Sequence, residues 1–248
     1  MTTPVDWARR FEQQAAWTAQ LRRHLYQQVD LGGSGRILEV GCGPGAVLRD
    51  LPPLPSGSIH GLDIALGHLL LAAARLPGPL LTCGDVHRLP YRSASFDAVL
   101  CHYFLLWVQP PYALLEMVRV TRLGGYILAL AEPDYGGRID YPPELVELGA
   151  RQRVALASQG ADPDFGRKLS ACFHAAGLRH IRTGVIGGYW AGPPQEADHR
   201  LEWAALRSDL AGQYTSAELD HLEKVDGAAW QSGTRTLYVP TFYAVGQV

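Results

Sequence analysis

A doubly wound α/β fold is what this sequence predicts, and three observations predict it. Short apolar runs alternate with helix-patterned segments at close intervals. The first run, ILEV, enters the loop GCGPG, which sets Gly41, Gly43 and Gly45 at alternate positions. Acidic residues then stand at the ends of the first three runs, at Glu39, Asp63 and Asp85. Short strands joined by helical crossovers close into a parallel sheet with helices on both faces.

Each element has its own signal. Thr3, Pro4 and Asp6 read as a helix cap, a first-turn proline and an early acid. Trp7, Phe11, Leu21 and Leu25 continue on one helical stripe, so one or two helices precede the first strand, at 36–40. The doublets Arg9-Arg10 and Arg22-Arg23 fall in this segment and read as a solvated helix face. Residues 46–51 read as a helix stopped by Pro52 and Pro53. A second strand at 59–62, a helix at 66–75, a third strand at 80–83 and a fourth at 96–101 follow. A helix at 112–121, closed by Gly124-Gly125, leads to a fifth strand at 126–131.

The second half is less regular. Helices are expected at 144–158 and 165–176, and strands at 181–186 and 237–245, with helical patterning between those strands. Thr215 and Glu218 form a capping-box pattern there. Pro240 cannot donate a ladder hydrogen bond, so a bulge or an edge is expected at it. The chain reads as a single domain, 1–248: an N-terminal helical cap at 1–34, a cofactor-binding half at 35–132, and a substrate-side half with helical insertions at 133–248.

Composition narrows the class. A chain of 248 residues that is 47% hydrophobic can bury a sizeable core. A formal net charge of -2 gives no reason to expect nucleic acid as a partner. The four cysteines show no CxxC spacing and read as reduced, buried thiols. The apolar stretch at 64–81 is broken by His68, Arg75, Pro77 and Gly78, and the N-terminus is amphipathic and charged. No membrane span, no metal site and a cytoplasmic location are therefore expected.

Glycine lets a chain turn at positive φ and lets backbone approach a ligand closely. At a strand-to-helix turn this exposes N–H groups where α/β proteins bind nucleotides. The loop also satisfies the dinucleotide pattern G-x-G-x-x-[GA], so glycines alone leave the ligand open. Glu39, two residues before Gly41, suits a ligand carrying a positive group. Asp63 can accept both hydroxyls of a ribose, and Asp85 can accept from an exocyclic amine such as that of adenine.

The stretches EVGCGPG, GLDIA and CGDVHRLPY resemble the first three motifs of the class I S-adenosylmethionine (SAM)-dependent methyltransferases, and SFDAVLCHYFLLWV and VTRLGGYILALAEP resemble the next two. The resemblance implies a Rossmann-like, seven-stranded sheet whose last strand is antiparallel, with a helical insertion before that strand. It implies SAM as cofactor, with Gly41, Cys42, Gly43 and Gly45 beneath its methionine part and Glu39 at its ammonium. Asp63 and Ile64 would lie at the ribose, Asp85 and Val86 at the adenine, and His102 beside the methyl-transfer position.

In-line transfer to a small organic acceptor is then the expected reaction. His102 is the first candidate for a general base and also borders the cofactor. Tyr103, Glu132, Asp134 and Tyr135 are expected to line the acceptor pocket. Trp17, Tyr26, Trp107, Tyr189 and Trp190 could form an apolar lid. The amide- and amine-directed motif (N/D)PP(Y/F) is replaced here by CHYF, no Pro-Cys pair stands for a cytosine-5 nucleophile, and the thiols are scattered. Two rival readings stay open. An NAD-dependent oxidoreductase is one, although Asp164 and Asp220 stand where the short-chain dehydrogenase pair would need tyrosine. A SAM-binding regulatory protein without transferase activity is the other.

Overall fold

The structure, a computed structural model, describes residues 5–54, 56–187 and 192–248. A long helix α1 (Trp7–Gln28) precedes β1 (Arg36–Val40), β2 (Ser58–Asp63), α2 (Leu66–Arg75), β3 (Leu80–Cys83) and β4 (Phe96–Cys101). Next come α3 (Pro110–Val120), β5 (Thr121–Pro133), β6 (Ile139–Tyr141), α4 (Val146–Ser158), α5 (Leu169–Ala175) and β7 (Arg179–Ile186). The chain ends with α6 (Glu196–Asp209), α7 (Ser216–Gln231), β8 (Thr236–Tyr238) and β9 (Thr241–Gln247).

Seven strands form one sheet in the order β3-β2-β1-β4-β5-β9-β7. Strands β1 to β5 pair in parallel, and β9 runs antiparallel to both β5 and β7. Successive side chains of a strand point to opposite faces, and the central strands divide accordingly. Leu38, Val99 and Ile127 pack on one face with Met117 of α3 and Phe173 of α5. Ile37, Leu100 and Leu128 pack on the other with Leu25 and Tyr26 of α1. Glu39 alternates onto the α1 face, which fixes the elements it will meet. A third cluster, of Leu148, Trp203, Leu206, Leu210 and Leu219, ties α4, α6 and α7 together beyond the sheet.

Several expectations need correction. The helix expected at 46–51 is only a short 3-10 turn, Leu48–Asp50. Two prolines directly after it remove the donors a longer helix would need. Among the described residues one α-helix precedes β1, within the one or two expected, and its cap is Asp6, which accepts from the backbone of Arg9 at 3.1 Å; Thr3 and Pro4 lie outside the described residues. Helix α3 closes at Thr121, and Gly124 and Gly125 fall inside β5, with Gly124 at φ +80°. The run 237–245 divides around Pro240 between two sheets, because β8 pairs with β6 and β9 joins the large sheet. Each arginine doublet has one buried member, Arg10 and Arg22. Cys42 and Cys101 are buried, but Cys83 is exposed and Cys172 half-buried, all with free thiols. The capping box of Thr215 and Glu218 forms as expected at the start of α7. Among the described residues no helix is long and apolar enough to cross a membrane.

Candidate active site

At the carboxyl end of β1 the chain turns through Gly41, Gly43 and Gly45 at φ +67°, +51° and +86°. Such values cost little only for glycine. Close approach adds a second reason: a Cβ on Gly41 would lie 2.1 Å from Cδ2 of Phe104, and one on Gly45 would lie 2.4 Å from Cδ1 of Leu76. The Gly43 N–H donates to Asp63 Oδ2 at 2.8 Å, and the Ala65 N–H donates to Asp63 Oδ1 at 2.8 Å. The acid at the end of β2 therefore braces the glycine loop as well as facing the space above it.

That space is a cavity of about 500 Å³. Glu39, Gly41, Cys42, Gly43, Asp63, Ile64, Asp85, Val86 and His102 line it, with Tyr103 and Tyr135 at one side. Gly45 does not line the cavity: it stands behind the loop, where it lets Leu76 pack closely. Trp7 and Phe11 of α1 cover the cavity, a contribution that periodicity alone did not separate from ordinary packing.

Glu39 is almost wholly buried, and its Oε2 has no hydrogen-bond partner among the described residues. Burial drives its carboxyl well above the usual range; the Arg22 guanidinium pulls it back in part, and Asp63 pushes it further up. A buried unpaired acceptor is costly, so the site is electrostatically incomplete without a donor. Asp85 sits at the rim, accepting the backbone N–H of His87 at 2.9 Å and contacting its ring Nδ1 at 2.7 Å. The bond from the His87 backbone leads in holding its carboxyl below the ordinary value. It remains an ionised acceptor.

His102 reaches the cavity wall, as expected, but Thr18 Oγ1 engages its Nε2 at 2.8 Å. Burial, helped by the Arg22 charge, lowers its pKa to about 3. A neutral imidazole that holds protons so weakly is a poor general base at pH 7.

A second cavity, of about 510 Å³, adjoins the first. Gln14, Tyr103, Pro133 and Tyr135 line both and form the partition. Tyr103 sits at φ +51°, in the left-handed region that side chains seldom adopt. The far walls come from α1, α6 and α7, with Trp17, Trp203 and Trp230 beside charged groups. Those charges are paired: Arg10 with Glu202, His199 with Asp226 at 2.7 Å, and Arg235 with Asp226 at 2.6 Å.

Two expected acceptor residues are misplaced. Glu132 lines neither cavity; it is fully buried and accepts the N–H groups of Phe104, Leu105 and Leu106 at 3.2, 3.0 and 3.3 Å. It holds the loop that follows β4. Burial raises its pKa to about 7 against those bonds. Asp134 is also turned inward, capping the turn Tyr135–Gly137 and pairing with Arg167 Nη2 at 2.6 Å. Of the expected lid, Trp17 lines the second cavity and Trp107 the first, Tyr26 is core, and Tyr189 and Trp190 lie outside the described residues.

The cavity fits a cofactor like SAM on its own features: an unpaired buried carboxylate for an ammonium, bare backbone beneath it, and two acids at successive strand ends. Fold and site together define a Rossmann-like, doubly wound α/β protein with a cavity at the carboxyl ends of its parallel strands. Residues 38–129 match the family model described as Methyltransferase domain. An uncharacterized methyltransferase of Schizosaccharomyces pombe is 29% identical over 168 residues, 62% of this chain and 60% of that protein. Demethylmenaquinone methyltransferase of Renibacterium salmoninarum is 33% identical over 123 residues, 48% of this chain and 51% of that protein. The chain thus spans about half to three fifths of the length of these curated relatives. Among solved structures, a SAM-dependent methyltransferase of Thermotoga maritima, titled a possible histamine N-methyltransferase, superposes with TM-score 0.54 at 16% identity, covering 96% of this chain and 90% of its own. The MccD protein superposes with TM-score 0.59 at 14% identity, covering 93% and 96%. Residues 38–129 thus match a methyltransferase domain, set in a fold shared with solved SAM-dependent methyltransferases.

Proposed function

We propose that this protein transfers the methyl group of SAM to a small organic acceptor held in the second cavity. The observation that carries the reading is the unpaired Oε2 of buried Glu39 in a cavity that shares a wall with a second one. The acidic rim of Glu39, Asp63 and Asp85 favours a cationic cofactor without phosphate over a dinucleotide, whose pyrophosphate Glu39 would repel.

When bound, SAM supplies a methyl group already made electrophilic by its sulfonium. The work left to the chain is placement. Glu39 pairs with the ammonium, Gly41 and Gly43 offer bare backbone, Asp63 takes the ribose hydroxyls, and Asp85 with Val86 meets the adenine. Tyr103 and Tyr135 stand between cofactor and acceptor and fix the approach. Trp7, Phe11 and Trp17 of α1 exclude water from both cavities. The aromatic walls of the second cavity suit an acceptor with an apolar body, and its paired charges suit one with a polar group.

Calorimetric titration with SAM, S-adenosylhomocysteine and NAD tests the reading. Micromolar binding of the first two without NAD supports it, and transfer of labelled methyl to members of a small-molecule panel would then identify the acceptor class. Binding of NAD alone overturns it.

A further inference from the structure

We propose that Thr18 and Arg22 of α1 are positioning residues that hold His102 as its Nδ1–H tautomer, so that His102 donates a hydrogen bond to the carboxylate of the bound cofactor's amino-acid end. The inference rests on the SAM reading of the cavity. It begins with a count of donors around one hydroxyl. Arg22 Nη1 donates to Thr18 Oγ1 at 2.5 Å, because a guanidinium can only donate. The hydroxyl proton of Thr18 then has two possible acceptors, Ala15 O at 3.3 Å and His102 Nε2 at 2.8 Å. Ala15 O already receives Arg22 Nη1 and belongs to the helical ladder. The shorter contact wins, since 2.8 Å is the ordinary length for a hydroxyl donor and 3.3 Å is long.

A proton arriving at Nε2 from Thr18 leaves that nitrogen as the acceptor. The single imidazole proton must then sit on Nδ1. Charge keeps the ring neutral: among the described residues the Arg22 cation bears on His102 and opposes a second proton, and burial does the same. Nδ1 has no protein partner among the described residues, while His102 lines the cofactor cavity and not the second one.

The end of the cavity is also fixed. Glu39 pairs in register with Leu100, two residues before His102, both line the cavity, and the Arg22 charge bears on both. An amino-acid group carries one cation and one anion, and this corner offers one acceptor for the first and one donor for the second. Arg22 itself is held by Asp50, which keeps the relay in register.

The test is nitrogen-15 NMR of the imidazole groups in uniformly labelled protein at pH 7, with the His102 signals assigned by their loss in His102→Gln. The expected spectrum shows a neutral ring protonated on Nδ1 in the wild type and in Thr18→Ser, which keeps the hydroxyl. In Thr18→Val the population should shift toward the Nε2–H form. An Nε2–H ring or an imidazolium in the wild type overturns the proposal, whether or not the variants fold, and so does an unchanged tautomer in folded Thr18→Val. Ligand arms then test the partner. S-adenosylhomocysteine, which carries the carboxylate, should move the Nδ1–H resonance, and 5′-methylthioadenosine, which lacks it, should not. Equal responses, or none with S-adenosylhomocysteine bound, sink the carboxylate assignment. Failure of S-adenosylhomocysteine to bind at all, read by calorimetry, would instead sink the SAM reading.

Discussion

Asp63 Oδ2 accepts the backbone N–H of Gly43 at 2.8 Å, so the acid that ends β2 holds the glycine loop that ends β1. One carboxylate thereby joins two strand ends that the sequence separates by 20 positions. On the proposed SAM reading its removal acts twice, on the ribose contact expected there and on the shape of the loop. Asp63→Ala should weaken binding of S-adenosylhomocysteine by about 10- to 100-fold, the range for a lost charged hydrogen bond. Calorimetry measures this, and unchanged affinity would remove Asp63 from the site. Asp63→Asn keeps an acceptor for Gly43 and should fall between the two.

Gly41 combines φ +67° with the Phe104 ring against its Cα. Gly41→Ala should destabilise the fold by about 1–2 kcal/mol from the left-handed backbone, with a further cost from displacing Phe104. Adding Phe104→Ala should relieve the displacement and leave the backbone cost. Chemical denaturation of both variants separates the two causes.

Burial keeps the Glu39 carboxyl well above its ordinary value in the free protein, and an arriving ammonium favours the ionised form. Cofactor affinity should therefore strengthen as pH rises and level off once the carboxyl of the free site ionises. Binding below that point should release a proton. Calorimetry in two buffers of different ionisation enthalpy counts the proton, and Glu39→Gln should abolish it while weakening affinity.

Glu132 carries a separate pH signature. Its folded pKa of about 7 stands above the ordinary 4.5, so the folded state holds the proton more tightly than the unfolded chain. The stabilisation is fully present below about pH 4 and is lost as the pH rises through about 7, on the order of 3 kcal/mol in all. Unfolding in urea from pH 4 to 8 should show this decline in the wild type and a flatter profile in Glu132→Gln.

The Glu132 case shows what spacing conceals. A carboxylate at the end of a strand reads as a ligand group, and at Asp63 and Asp85 the chain does bring it to the cavity. Glu132 and Asp134 carry the same local pattern, yet their side chains turn toward N–H groups and an arginine contributed from elsewhere in the chain. The arginine doublets misled for the related reason that helical spacing assigns faces without saying which face another element will cover. Arg22 is buried only because the sheet and Asp50 meet α1 there.

What the sequence determined by itself was local and periodic: the order of the first five strands, the helices at 66–75 and 112–121, the glycine turn with its positive φ values, and the acids flanking it. Those features depend on backbone sterics and on alternation, which neighbouring residues fix. Tertiary structure alone decided which carboxylates face a cavity, that Pro240 parts two sheets, and that Arg22 and Thr18 of α1 meet His102. Such relations need side chains from distant segments to compete for the same donors and the same buried space, and no spacing along the chain encodes the winner.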